Sequence, residues 1–173
     1  MKIGVISDTH TKVKLAKDAI DLLIKRGAQF IIHSGDIGES EILEYLEKCS
    51  ARYVAVYGNN DAHLARFHSK YNLVQEPYYF KLADTKFKLM HLPFYMAPDA
   101  DVVIFGHTHA YESDFKGKTL FLNPGEVCAR NKPISECAML EISKSHFYVS
   151  YFTRDKKDKE FKEELFSYKR VKQ

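Results

Sequence analysis

Short apolar runs alternate with amphipathic segments from the first residues onward. Ile3, Val5 and Ile6 make Lys2–Ser7 an apolar strand that stops abruptly at Asp8-Thr9-His10. From Lys12 to Arg26 the spacing changes: Leu15, Ala19, Leu22 and Leu23 recur at helical intervals, and Gly27 is placed to end the helix. Phe30–Ser34 is a second apolar strand, closed by Gly35-Asp36. A second helix follows, with Ile42, Leu43, Tyr45, Leu46 and Cys49 on its buried side. Arg52–Tyr57 is a third strand and runs into Gly58-Asn59-Asn60-Asp61. Strand, helix, strand, helix and strand at this spacing predict right-handed βαβ units around a largely parallel sheet.

The second half is richer in strands. Tyr78–Ala83 and Lys86–Met90 flank Asp84-Thr85 as a hairpin, and the latter strand leads into His91. Asp101–Phe105 is a buried strand ending in Gly106-His107-Thr108-His109, and Thr119–Leu122 runs into Asn123-Pro124-Gly125. Cys137–Ile142 and His146–Phe152 form a closing hairpin. Beyond it, Phe161, Leu165 and Tyr168 share one side of a charged C-terminal helix within residues 154–173. No repeat or long linker interrupts the chain. The expectation is one α/β domain over residues 1–173, with helices on two faces of the β-structure.

Composition narrows the class. At 173 residues, with 45% hydrophobic and 28% charged positions, the chain is long enough for a core without disulfides or structural metal. No apolar run nears a membrane span, and the start lacks a signal peptide's apolar stretch, so a cytoplasmic location and no membrane partner are expected. The net charge of +3 demands no polyanionic partner. Cys49, Cys128 and Cys137 are odd in number and form no CxxC pair, which favours packed, reduced thiols.

Candidate chemistry sits at strand ends. Five apolar strands finish in metal-competent side chains: Asp8 with His10, Asp36, Asn59, His91, and His107 with His109. In open α/β sheets, ligand sites lie at the carboxyl ends of strands, so residues distant in sequence converge there. Singly, an Asp in such a place is a turn former and a His is a surface or core residue. The conjunction, with glycines before Asp36, Asn59 and His107, points to a metal centre.

The blocks DTH (8–10), GD (35–36), GNND (58–61) and GHTH (106–109) resemble the calcineurin-like metallophosphoesterase family. The resemblance spans residues 1 to about 152 and is strongest for its small single-domain phosphodiesterase branch, which shares its fold with the retromer scaffold subunit. It implies a layered α/β/β/α sandwich of mixed sheets with helices on the outer faces. It also implies two ion sites, one of Asp8, His10, Asp36 and His109 and one of Asp36, Asn59, His91 and His107, with Asp36 bridging. Carboxylate, imidazole and amide donors suit Mn most directly, with Fe, Ni or Zn as alternatives. Such a pair of ions would acidify a bridging water into a hydroxide nucleophile. The implied activity is hydrolysis of small phosphodiesters, with Asp36, Asn59 and His91 acting through the metals. A non-catalytic scaffold and a nuclease acting on nucleic-acid ends are the alternatives. Homo-oligomers are compatible with either.

The departures carry information. Many relatives have a leaving-group histidine after the GN asparagine; here Asn60 stands there and cannot supply a proton at neutral pH. That favours diesters with acidic leaving groups. Only 15 residues separate His91 from His107, so a wall of the cleft is expected to be missing. Glu126 follows Gly125 where the family usually has Ser. His63, after the GNND turn, is either solvent-exposed or the substitute acid. His33 is either an outer donor to the site or a satisfied core residue. Arg130 and Asn60 are candidate substrate contacts, while His68 is expected at the surface and His146 in a structural role.

Overall fold

The computed structural model describes residues 1–82 and 84–171. The strands are β1 (Lys2–Ile6), β2 (Phe30–His33), β3 (Arg52–Val56), β4 (Leu73–Val74), β5 (Tyr78–Leu82), β6 (Thr85–Leu89), β7 (Val102–Ile104), β8 (Tyr111–Lys116), β9 (Thr119–Pro124), β10 (Ile134–Ile142), β11 (His146–Asp155) and β12 (Lys162–Lys169). The helices are α1 (Val13–Lys25) and α2 (Ser40–Lys48), with a 3₁₀ turn at Ala62–Phe67.

Seven strands form one sheet in the order β12-β11-β10-β1-β2-β3-β4, and five form a second in the order β5-β6-β7-β9-β8. The β1-β2-β3-β4 block is parallel, as the βαβ pattern requires, and β10, β11 and β12 add antiparallel pairs. The period-two alternation of β1 and β2 divides the core. Ile6 and Ile31 face α1 and α2 together with Ala19, Ile20, Leu23, Ile42 and Leu46. Ile3, Val5, Phe30 and Ile32 face the second sheet and pack on Phe87, Leu89, Val102, Ile104, Leu120 and Leu122. Two sheets therefore stack with their apolar inner faces joined.

Two expectations need correction. The C-terminal segment is not helical: β12 pairs antiparallel with β11 from His146↔Lys169 to Thr153↔Lys162. In helical spacing Phe161, Leu165 and Tyr168 share a face. In the strand it is Phe166 and Tyr168, two apart, that pack on the inner core, while Leu165 points to solvent. Partner hydrogen bonds and these two aromatic contacts override the helix-favouring Lys and Glu residues. Those charges instead blunt an edge strand. Second, α1 and α2 lie on the same sheet face. The outer face of the five-stranded sheet, with Val103, Phe105 and Phe121, is covered by Met90, Met96 and Ala100, from the segment around residues 90–100, rather than by a helix. The short interval between His91 and His107 leaves no length for one. Ala83, Lys172 and Gln173, expected at a strand end and in the C-terminal helix, lie outside the described residues. Among the described residues no helix is long and apolar enough to cross a membrane.

Candidate metal centre

Strands β1, β2 and β3 of one sheet and β6 and β7 of the other run parallel within their sheets, and the loops that follow them meet. Those loops carry all seven candidate donors. They are tied by Asp8 N–H to Gly35 O (3.0 Å), His10 N–H to Asp36 O (2.9 Å) and Gly106 N–H to His91 O (3.1 Å). Close approach requires glycine: a Cβ at Gly58 would lie 2.2 Å from Asp36 Oδ1, and one at Gly35 2.6 Å from the His91 ring. Asp8, His10, Asp36, His107 and His109 all have φ between 46° and 67°. Each left-handed non-glycine residue costs about 1–3 kcal/mol, which the interlocked loops hold in place.

The donors sort into two groups. In the first, His109 Nε2 lies 3.2 Å from Asp8 Oδ1 and 3.5 Å from His10 Nε2, and His10 Nε2 lies 3.8 Å from Asp36 Oδ2. In the second, Asn59 Oδ1 is 3.0 Å from both His91 Nε2 and His107 Nδ1, and His91 Nε2 is 3.5 Å from Asp36 Oδ1. Donors sharing one ion at about 2.1 Å stand roughly 3–4 Å apart, so both groups have the right span. Asp36 faces one group with each oxygen. Asp8 Oδ1 is buried and has no hydrogen-bond partner among the described residues, an orphan acceptor that a cation would satisfy. The residues present therefore fit two divalent ions.

Outer contacts fix the rings. His91 Nδ1 donates to Ser34 O at 2.8 Å, and His109 Nδ1 donates to Glu126 Oε2 at 2.5 Å, so in each ring Nε2 is the nitrogen turned toward the site. Asp8 Oδ2 accepts from Ser7 Oγ (2.6 Å) and His107 N–H (3.1 Å), leaving Oδ1 for the site. Burial raises the Asp8 carboxyl above its ordinary range despite the Ser7 bond and nearby imidazoles. For Asp36 burial acts upward too, but the Asn60 bonds and the His91 and His10 charges outweigh it and hold the carboxyl below its usual value. His10 is lowered, chiefly by burial, which favours the neutral, ligand-competent ring.

Asn60 donates to Asp36 through its backbone N–H (3.0 Å, Oδ1) and its amide (2.7 Å, Oδ2). Arg130 Nη2 stands 3.4 Å from His109 Nε2, at the site's edge. His63 is exposed, with Nε2 bonded to Gly38 O at 2.7 Å. His33 is fully buried: its Nδ1 accepts from Gly35 N–H, so Nε2–H donates to Thr9 Oγ1 at 2.9 Å. Burial lowers its pKa to about 3, and the ring stays neutral. His68 pairs with Tyr57 and His146 with Ser145.

The positioning roles of two residues escaped sequence reasoning. Asp61, fully buried, accepts from Gly58, Ile37 and Gly38 N–H at 2.8–3.0 Å and so joins the second and third ligand loops. Glu126, also fully buried, holds His109 while accepting from Asn131 and Lys132 N–H at 2.8 Å each. Its departure from the family pattern was the available signal. Cys128 Sγ belongs to a group of donor atoms with His10 and His109, all within 4.8 Å of one another. Burial, then the Glu126 charge, pushes its thiol up to about 12, so it remains S–H.

A family model for the calcineurin-like phosphoesterase superfamily domain matches residues 1–145. The chain belongs to that superfamily. It is a metal-dependent phosphoesterase by family. The phosphodiesterase MJ0936 of Methanocaldococcus jannaschii is 29% identical over 160 residues, covering 85% of this chain and 96% of its own length. A solved archaeal phosphodiesterase superposes with a TM-score of 0.74 at 27% identity, covering 96% of this chain and all of the other. Vps29 of Entamoeba histolytica, solved with zinc, shares the fold with a TM-score of 0.74 at 23% identity, over 96% of this chain and 99% of its own.

Proposed function

We propose that the chain is a dimetal phosphodiesterase acting on small phosphodiesters, with Asp36 bridging the ions. The observation that carries this reading is the Asp36 carboxylate, whose two oxygens each face a separate, complete donor group. Asp8, His10, Asp36 and His109 would hold one ion; Asp36, Asn59, His91 and His107 would hold the other. Bound divalent ions supply an acidified water as nucleophile and offset charge on the phosphoryl oxygens. Manganese suits this thiolate-free set, and Fe, Ni and Zn fit the same donors.

The protein's own groups orient and position. Glu126 and Ser34 O aim His109 and His91 inward. Arg130 stands beside His109 with donors for a phosphoryl oxygen. Among the described residues at the site no side chain is set up as nucleophile: Ser7 Oγ donates to Asp8, and Cys128 is a neutral thiol. Nor, among the described residues, is an acid poised for the leaving oxygen, since Asn60 cannot supply a proton at neutral pH and His63 Nε2 is engaged by Gly38 O. Substrates with acidic leaving groups follow from that. A scaffold of the same fold has no need of these donors, and here all seven positions hold metal-competent residues. Stripping the protein with chelator and restoring Mn tests the reading: hydrolysis of bis(p-nitrophenyl) phosphate should vanish and return. Full turnover in metal-free protein would overturn it.

A further inference from the structure

A groove opens beside the first donor group and is lined by His10, Thr11, Lys12, Ala129, Arg130 and Lys156. Three of these are cations and none is an acid. The whole chain carries an excess of only +3, so this concentration is local. Lys12, Arg130 and Lys156 are exposed, and among the described residues none of the three forms an ion pair. The groove joins the candidate centre directly: His10 belongs to both, and Arg130 Nη2 lies 3.4 Å from His109 Nε2. Helix α1 starts at the groove with Lys12 as its N-cap, no side-chain cap and no acidic residue in its first turn. The positive end of its dipole is therefore not offset there.

A simple phosphodiester carries one negative charge, which the two proposed ions and Arg130 already meet. Lys12 and Lys156 are then surplus to the scissile phosphate. We propose that the groove binds a second phosphate of the substrate, outside the scissile link, making the preferred substrate class phosphodiesters with an additional phosphate on the retained group. This rests on the phosphodiesterase reading above. The second phosphate takes no part in bond breaking and contributes through binding, so its effect falls on KM. Exposed charges are screened by salt, so the effect should be modest and ionic-strength dependent.

Two esters with the same scissile bond test this: thymidine 5′-(p-nitrophenyl phosphate) with and without a 3′-phosphate. At low salt the 3′-phosphate should lower KM about 3- to 10-fold with kcat unchanged. In the Lys12→Gln/Lys156→Gln double variant the ratio of the two KM values should collapse toward one, and added salt should do the same in the unaltered protein. Equal KM values in the unaltered protein, or a preference that survives the double variant, would overturn the groove assignment while leaving the phosphodiesterase reading intact. Hydrolysis of neither ester would count against that reading instead. Binding then decides the groove, with calorimetry on metal-free protein comparing thymidine 3′,5′-bisphosphate and thymidine 5′-monophosphate. Tighter binding of the bisphosphate, lost in the double variant, supports the groove; equal binding refutes it.

Discussion

Glu126→Gln is a nearly isosteric change whose consequence can be worked from hydrogen-bond directions. Oε1 of Glu126 accepts from two backbone N–H groups, Asn131 and Lys132. Oε2 accepts from His109 Nδ1–H and from the Cys128 thiol. Every partner is a donor. A glutamine must turn its NH₂ toward one side, and facing two fixed backbone donors is the costlier choice. The NH₂ therefore turns toward His109, whose Nδ1 can become an acceptor by moving its proton to Nε2. That nitrogen is the one aimed at Asp8 and His10, so a ligand is lost from one ion only. Outer-shell changes of this kind cost about 10- to 100-fold in metal affinity, equivalent to roughly 1.4–2.7 kcal/mol. Calorimetric titration of Mn into chelator-stripped protein should resolve one weakened and one unchanged ion. Nitrogen-15 chemical shifts of the His109 ring in metal-free protein should report the Nδ1–H form before the substitution and the Nε2–H form after it. Two ions bound as tightly as before, or a ring already in the Nε2–H form in the unaltered protein, would refute the reasoning.

Other outcomes follow from the same geometry. Asp36→Asn should weaken both ions together, whereas Asn59→Ala should weaken one; mass-spectrometric metal content after gel filtration separates the two patterns. Rates over a series of aryl and alkyl phosphodiesters should fall steeply as leaving-group pKa rises, because Asn60 stands where a positioned acid would contribute about 10²–10⁴-fold. Asn60→His should flatten that slope, and a shallow slope that steepens in His63→Ala would make His63 the donor instead. His33 binds a proton in the unfolded chain near pH 6.5 but only near pH 3 when folded. Its contribution to stability is present above pH 6.5 and lost as pH falls, at up to about 1.4 kcal/mol per pH unit. Urea unfolding with chelator present from pH 7 to pH 4.5 should show that loss, and His33→Gln should reduce the slope; equal slopes would contradict it.

The convergence of the seven donors was legible because each follows an apolar strand, and parallel strands put their carboxyl ends on one edge. The glycines before Asp36 and Asn59 were legible for the same local reason, namely that no Cβ fits there. Glu126 and Asp61 were not, since a carboxylate that serves another loop gives no local pattern. Their partners, His109 and the Ile37-Gly38 backbone, lie 17 and 24 residues away or nearly so. The C-terminal strand was hidden by composition. Lys and Glu at alternating positions fit a solvated helix as well as a charged edge strand, and only the pairing with β11 separates them. Strand β8, Tyr111–Lys116, was missed because its inward residues are only half-buried and its pattern is mostly polar. The single-sided helix layer depended on which sheet face each crossover covers, which periodicity does not encode.

Metal stoichiometry tests the bridging arrangement directly. Chelator-stripped protein is titrated with Mn while bound metal per chain and hydrolysis of bis(p-nitrophenyl) phosphate are read on the same samples. Two-ion bridging predicts saturation at two ions per chain, with activity rising only as the second ion binds. Full activity at one ion, or saturation at a single ion, would contradict it.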